Sequence, residues 1–166
     1  KGPAIPLPAR LPVLCPGCPH TAAFYALKRL GFYRGLDDPG LPAELRALAP
    51  LRRSGVVVTG DIGCYTLGAG HPWNALDTTI CMGATMGVAL GIDKGRGEVD
   101  RNKRMIAVIG DSTFMHMGMQ GLLDITYNHG NVTVLLLDNN TTGMTGGQAT
   151  PASGRDIHGK EAPKVD

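Results

Sequence analysis

The chain has 166 residues, which is enough for one domain with a sizeable core. Its formal net charge is only +2 and aromatic residues make up 5%, so neither a basic field nor a base-stacking surface points to nucleic acid. No signal peptide or membrane span is evident, and four cysteines in such a chain predict a cytoplasmic protein whose thiols serve metal or redox chemistry.

The predicted elements alternate between helices and strands. A helix is expected in "PHTAAFYALKRLG" and a short helical patch over residues 42–48, followed by a strand in "GVVVTGDIG" and a helix in "TTICMGATMGVALGID". A second strand, "RMIAVIGD", precedes a helix in "MHMGMQGLLDITYNHG", and "VTVLLLDN" is the third strand. Unbroken apolar strands separated by helices predict a three-layer α/β/α fold with a mainly parallel sheet.

The domain organisation follows from the ends of this pattern. Residues 15–151 hold the predicted elements, whereas residues 1–14 form a Pro-rich, extended lead-in and residues 152–166 a polar tail without periodicity. Both end segments are typical of chain that lies across a partner or another domain. We therefore expect this sequence to be a piece of something larger.

Polar residues close every predicted strand, in Gly60-Asp61, Gly110-Asp111 and Asp138-Asn139. Ligands bind at the carboxyl ends of the strands in parallel sheets. Asp111 and Asn139 offer the hard oxygen ligands that Mg²⁺ or Ca²⁺ prefers, while Gly110, Ser112 and Thr113 lie at a helix start that suits an anion. The alternative is that Asp111 and Ser112 merely cap this helix.

The spacing of these residues carries a family resemblance. Gly110-Asp111-Ser112, a gap of 26 residues and then Asn139-Asn140 resembles the signature of thiamine diphosphate (TPP) enzymes. Extended to "GDSTF" and "LDNNTTGMTGGQ", the pattern resembles the 2-oxoacid:ferredoxin oxidoreductases. Within them it is most similar to the TPP-binding part of the indolepyruvate ferredoxin oxidoreductase large (alpha) subunit, from Cys15 to about Pro151.

The resemblance implies a cofactor site with named residues. Side chains of Asp111 and Asn139 and the backbone carbonyl of Thr141 would ligate Mg²⁺. Met82 would wedge TPP into its bent conformation, although simple core packing is the alternative, and Met144 would lie near the thiazolium. The implied cofactor-binding residues are Gly63, Cys64, Ile80, Met82, Gly110, Asp111, Ser112, Thr113, Asn139, Thr141 and Met144.

The cysteines admit three interpretations. The x-x spacing of Cys15 and Cys18 lets a turn direct both sulfurs to one metal. With Cys64 as third ligand, the family resemblance implies a [4Fe–4S] cluster beside TPP, but the fourth ligand is missing because Cys81 would lie next to Met82. A zinc site completed by His20, or a set of free thiols, remains open.

Two further features concern catalysis. His116 follows the "GDSTF" turn and would lie near the reacting end of the cofactor, where it could polarise the substrate carbonyl; a helix-face histidine with a structural role is the alternative. The glutamate with which TPP enzymes activate the pyrimidine ring has no counterpart, since Glu44, Glu98 and Glu161 lie in connecting or terminal segments. We therefore expect a pyrimidine-binding partner domain or subunit to supply it.

The function that this resemblance implies is TPP- and Mg²⁺-dependent oxidative decarboxylation of a 2-oxoacid, with indolepyruvate or another aryl pyruvate as substrate. Electrons would pass through iron–sulfur clusters to ferredoxin, and coenzyme A would accept the acyl group. The chain would be the diphosphate-binding domain of an oligomer, inactive without its partner and with no nucleic acid or membrane as partner. The alternatives are a non-oxidative decarboxylase or acetolactate-synthase-like domain, and a non-catalytic, zinc-stabilised assembly module.

Overall fold

The computed structural model describes residues 11–29, 43, 56–97, 101 and 103–165. Its sheet has four strands in the order β2-β1-β3-β4, all parallel. The strands are β1 (Val56–Gly60), β2 (Thr78–Thr79), β3 (Arg104–Gly110) and β4 (Val132–Leu137). Six of the seven residues of β3 are buried, as expected of a central strand covered on both faces.

Helices cover both faces of the sheet. They are α1 (Pro19–Arg29), α2 (Thr85–Gly95) and a continuous helical stretch that we call α3, made of Asp111–Thr113, a π-helical segment Phe114–Gly118 and Met119–Tyr127. Short 3₁₀ helices span Cys64–Ala69 and Pro151–Ser153. The three-layer α/β/α architecture predicted from the strand–helix alternation is confirmed.

Each face of the sheet has its own core. On one face α1 and the first 3₁₀ helix bury Phe24, Leu27 and Tyr65 against β1 and β3. On the other face α2 and α3 bury Met86, Leu90 and Ile125, among others. Side chains of β3 supply both cores because successive residues of a strand point to opposite faces.

The three predicted strands are confirmed, but the predicted start of the helix between the first two of them is wrong. Thr78 and Thr79 were predicted to open a helix and instead pair with Thr59 and Gly60 as the edge strand β2, so α2 begins only at Thr85. Helix α3 begins at Asp111, which agrees with the helix start predicted at Gly110 to Thr113, although the helical pattern itself was read only from "MHMG". Pairing with a neighbouring strand and capping by a distant residue are tertiary effects, which local periodicity does not register.

Several other predictions can be compared with the described residues only in part. The helical patch over residues 42–48 and the lead-in over residues 1–10 lie outside the described residues, apart from residue 43. The tail consists of turns with one antiparallel bridge between Arg155 and Glu161. The domain boundaries stay a prediction. None of the described helices is long and apolar enough to cross a membrane.

Close packing of α1 on the first 3₁₀ helix depends on Gly68. A Cβ at this position would lie 2.3 Å from the Phe24 ring, whose side chain is fully buried. We expect Gly68→Ala to lower the free energy of unfolding by about 1–3 kcal/mol, the usual cost of overpacking a core. Chemical denaturation of the Gly68→Ala protein and of the parent measures this difference.

Gly91 provides the matched control. It lies inside α2 with no atom within 4 Å of a Cβ built on it. Gly91→Ala should therefore raise the free energy of unfolding, by up to about 1 kcal/mol, because alanine favours a helix interior. Equal effects of the two substitutions would contradict the described packing of α1.

Candidate functional site

The carboxyl ends of β1, β3 and β4 surround one cavity of about 100 Å³. The loop before α2 closes it from one side and the loop after β4 from the other. The lining residues are His20, Ile62, Gly63, Cys64, Tyr65, Met82, Gly110, Asp111, Ser112, Thr113, Asn139, Thr141, Thr142, Gly143, Met144 and Thr145.

Asp111 is the buried carboxylate of this cavity. Its residue is 5% exposed, and its Oδ2 has no hydrogen-bond partner within the described part of the chain. Burial raises the pKa of Asp111, the backbone N–H groups of Ser112 and Asn139 oppose that rise, and the nearby charge of Asp138 adds to it. A buried oxygen without a partner is costly, so this position favours a bound cation.

Asn139 faces Asp111 from the end of β4. Its Oδ1 accepts a hydrogen bond from the backbone N–H of Thr141 at 3.2 Å, while its Nδ2 lies 3.4 Å from His20 Nε2. An amide nitrogen can only donate, so His20 is the acceptor and its Nε2 carries no proton. Burial lowers the pKa of His20, against the opposing charge of Asp111, which agrees with a neutral ring.

The start of α3 presents hydroxyl groups to the cavity. Ser112 Oγ lies 2.7 Å from Thr142 Oγ1, and Thr113 Oγ1 lies 3.0 Å from the Tyr65 hydroxyl, which donates to the carbonyl of Ile62 at 3.1 Å. The residue before Asp111 must be a glycine, because a Cβ on Gly110 would lie 2.3 Å from the Tyr65 ring. The exposed N–H groups of a helix start and these hydroxyls can bind an anion such as a phosphate.

Three of the cysteines lie near one another on the α1 side of the cavity. A turn closed by the Cys18 N–H on the Cys15 carbonyl, 3.0 Å, brings these two residues together, with Gly17 at φ 74°. Burial raises the pKa of the Cys64 thiol, and the charges of Cys18 and then Cys15 raise it further. Cys64 lines the cavity, whereas Cys15 and Cys18 are not among its lining residues.

The described residues form no group of three His, Cys, Asp or Glu side chains that converges on a single metal ion. A magnesium site built from one carboxylate, one amide and one carbonyl does not need such a group. An iron–sulfur cube holds its thiolates on separate irons and therefore farther apart than one ion would. The ligand sets named from the sequence stay predictions.

The structure brings most of the predicted cofactor-binding residues together. Ten of the eleven line the cavity, and Ile80, which is 66% exposed, is not among them. His116 lies in the π-helical segment of α3 and is not a lining residue either. The catalytic role given to His116 therefore stays a prediction, as does the binding role of Ile80.

Six lining residues are outside the predicted cofactor-binding set, and three of them, His20, Tyr65 and Thr142, form hydrogen bonds to predicted ones. Tyr65 and Thr142 each follow a motif residue by one position, so a search for hydroxyl partners within the motifs would have found them. His20 was considered only as a metal ligand, and nothing in its local sequence indicates the contact with Asn139, 119 positions away.

Comparison with known proteins shows the family to which this chain belongs. The profile described as "Thiamine pyrophosphate enzyme, C-terminal TPP binding domain" matches residues 61–166. The chain belongs to this family. The residues of the "GDSTF" and "LDNNTTGMTGGQ" motifs lie within the matched range.

The TPP-binding domain is also similar to longer proteins. Indolepyruvate oxidoreductase subunit IorA of Archaeoglobus fulgidus is 46% identical over 147 residues, which are 89% of this chain and 20% of that protein. The subunit of the same name from Methanothermobacter marburgensis is 37% identical over 159 residues, 96% of this chain and 22% of that protein. The chain thus spans about a fifth of the length of these curated relatives.

A solved structure shares the fold. It is the 2-oxoglutarate:ferredoxin oxidoreductase from Magnetococcus marinus, solved with 2-oxoglutarate, coenzyme A and succinyl-CoA bound, with a TM-score of 0.63 at 21% identity. The match covers 94% of this chain and 48% of that one. The resemblance to the 2-oxoacid:ferredoxin oxidoreductases expected from the motifs is confirmed.

The Asp111 oxygen that has no hydrogen-bond partner in the described chain lowers the stability of the TPP-binding domain. Asp111→Asn removes a buried charge beside Asp138, so we expect the free energy of unfolding, measured without metal or cofactor, to rise by roughly 1 kcal/mol. The same variant should lose the added stability that Mg²⁺ with TPP gives the parent. Thermal unfolding with and without both ligands measures the two effects, and a destabilised Asp111→Asn protein would indicate a purely structural cap.

Proposed function

We propose that this TPP-binding domain holds TPP through Mg²⁺ and serves a 2-oxoacid:ferredoxin oxidoreductase. The observation that carries the proposal is the buried Oδ2 of Asp111, which has no hydrogen-bond partner among the described residues and belongs to a cavity shared with Asn139 and Thr141. A cation there would remove the cost of the unpaired oxygen and would itself be held by hard oxygen ligands.

The two ends of the cavity suit the two ends of the cofactor. Asp111, Asn139 and the Thr141 carbonyl would hold Mg²⁺, with the start of α3 from Gly110 to Thr113 against the diphosphate. Met82 and Met144 are the thioether side chains of the lining and are about half exposed, so they can pack against the rings of TPP. His20 would keep the oxygen of Asn139 directed at the metal by accepting from its Nδ2.

When bound, TPP supplies a nucleophilic carbon and an electron sink, which allow a 2-oxoacid to lose CO₂. The protein contributes orientation and electrostatics around the cofactor. Within the described residues no glutamate lines the cavity, which supports our proposal that a partner domain or subunit supplies the carboxylate expected at the pyrimidine ring. This chain alone would bind the cofactor and remain inactive.

The thiols beside the cavity support an oxidative reaction. Cys15, Cys18 and Cys64 would hold a [4Fe–4S] cluster next to the cofactor, with a fourth ligand from elsewhere, as electron removal would require. We propose ferredoxin as the acceptor of the electrons and coenzyme A as the acceptor of the acyl group. The names of the relatives favour indolepyruvate or another aryl pyruvate as substrate.

The remaining features of the proposal rest on the sequence. A cytoplasmic location, an oligomeric assembly, and the lack of nucleic-acid and membrane partners stay predictions. The non-oxidative, acetolactate-synthase-like reaction and the zinc-stabilised assembly module are the competing functions, and the metal content of the protein separates all three.

The cofactor site is tested by Asp111→Ala. Because this change removes the charged ligand of the metal, TPP affinity in the presence of Mg²⁺ should fall at least about 100-fold, as expected when a ligand worth more than 2.7 kcal/mol is lost. Calorimetric titration of TPP with and without Mg²⁺ measures it. Asp124→Asn, on the exposed surface of α3, is the control and should bind like the parent. Equal TPP affinity of Asp111→Ala and the parent would refute the strand-end site.

The cysteine site is tested by metal analysis of the complete, anaerobically purified protein. Cys18→Ser should lower the iron and sulfide content and the visible absorbance, because it removes one of the three proposed thiolate ligands. Cys81→Ser is the matched control, since Cys81 is exposed on the loop before α2 and should retain both. Zinc in place of iron would support the assembly module, and no metal at all would favour the non-oxidative reaction.

A further inference from the structure

A second carboxylate, Asp61, lies at the end of β1 and has no exposed surface. Both of its oxygens accept hydrogen bonds from backbone N–H groups. Oδ1 accepts from Ile62 at 2.7 Å and from Gly83 at 2.7 Å, and Oδ2 accepts from Thr85 at 3.2 Å. A fully buried carboxylate satisfied in this way is a fixed anchor for the backbone that donates to it.

The backbone anchored by Asp61 is the turn that leads into α2. Ala84 precedes the helix and has no side chain that could cap it, so Asp61 supplies the cap from 24 positions away. Gly83 adopts φ 84°, and a Cβ there would lie 2.6 Å from Met117 Cβ. The Ala84 N–H closes the turn on the Cys81 carbonyl at 3.1 Å.

The residue in the middle of this turn is Met82, which lines the cofactor cavity. In the part of the chain that the structure describes, the hydrogen bonds of the Asp61 carboxylate all go to the loops after β1 and before α2. None goes to the start of α3 or to the Asn139 loop. Asp61 therefore holds one wall of the cavity and makes no direct hydrogen bond to the described residues of the diphosphate end.

We propose that Asp61 is a positioning residue that holds the Met82 turn against the rings of TPP. The inference rests on the proposed function, because it takes the cavity to be the TPP site. It separates the site into two halves: Asp111 and Asn139 determine affinity for the diphosphate and its metal, and Asp61 determines, through Met82, affinity for the ring end.

The contributions of the two halves to affinity can be measured separately, with two probes on the complete protein as purified. Asp61→Asn turns an amide N–H toward backbone N–H donors and displaces the turn. We expect its affinity for TPP with Mg²⁺ to fall about tenfold and its affinity for inorganic pyrophosphate with Mg²⁺ to stay unchanged. Asp77→Asn is the matched control, since Asp77 Oδ2 accepts from the Val58 N–H at 2.8 Å in the same sheet without lining the cavity.

A double-mutant cycle tests the route through Met82. If Asp61 acts through this side chain, Asp61→Asn should add little to the effect of Met82→Ala on TPP affinity. Should Asp61→Asn fail to fold, Gly83→Ala disturbs the same turn and should show the same difference between the two probes. If Asp61→Asn lowers the affinities for both probes equally, or lowers neither, the inference is overturned. A parent protein that binds neither probe would refute the proposed function itself.

Discussion

A carboxylate that is buried away from water needs hydrogen-bond or cation partners. Two neighbouring strands of this sheet, β1 and β3, are each followed by a buried carboxylate, and the two differ in the partners they have. Asp61 is fully buried and accepts three backbone hydrogen bonds, so it is satisfied within the protein. Asp111 keeps one oxygen without a partner in the described chain. The first carboxylate holds the loops at one wall of the cavity. The second is the one that we propose to bind a ligand. The rest of the site follows from this difference.

One aromatic ring connects several of the elements around the cavity. Tyr65 packs where side chains at Gly63 and Gly110 would stand, 2.6 and 2.3 Å from the positions of their missing Cβ atoms. Its hydroxyl bridges Thr113 and the Ile62 carbonyl, so the ring ties the loop after β1 to the start of α3. His20 lies edge-on to the same ring at 5.9 Å and reaches Asn139. Tyr65 thus contacts the loop after β1, the start of α3 and α1.

Much of the site was predictable because parallel strands deliver their carboxyl ends to one edge. The positions of Asp111, Asn139, Ser112 and Thr113 followed from strand ends and spacing, and the structure gathers all four around one cavity. The contact of His20 with Asn139 was not predictable, since it joins residues 119 positions apart through packing of α1. The start of α2 was mispredicted for a similar reason: its cap is a side chain from another strand.

The sequence by itself determined the class of fold, the three longer strands with helices between them, and the family of the domain, because apolar periodicity and motif spacing are local properties of the chain. Only the tertiary structure decided which polar groups are satisfied. Asp61 and Asp111 both follow a glycine at the end of an apolar strand, and their surroundings in sequence do not separate an anchor from a ligand. The difference arises from the backbone N–H groups that the folded loops bring to each carboxylate, at distances that no local pattern encodes.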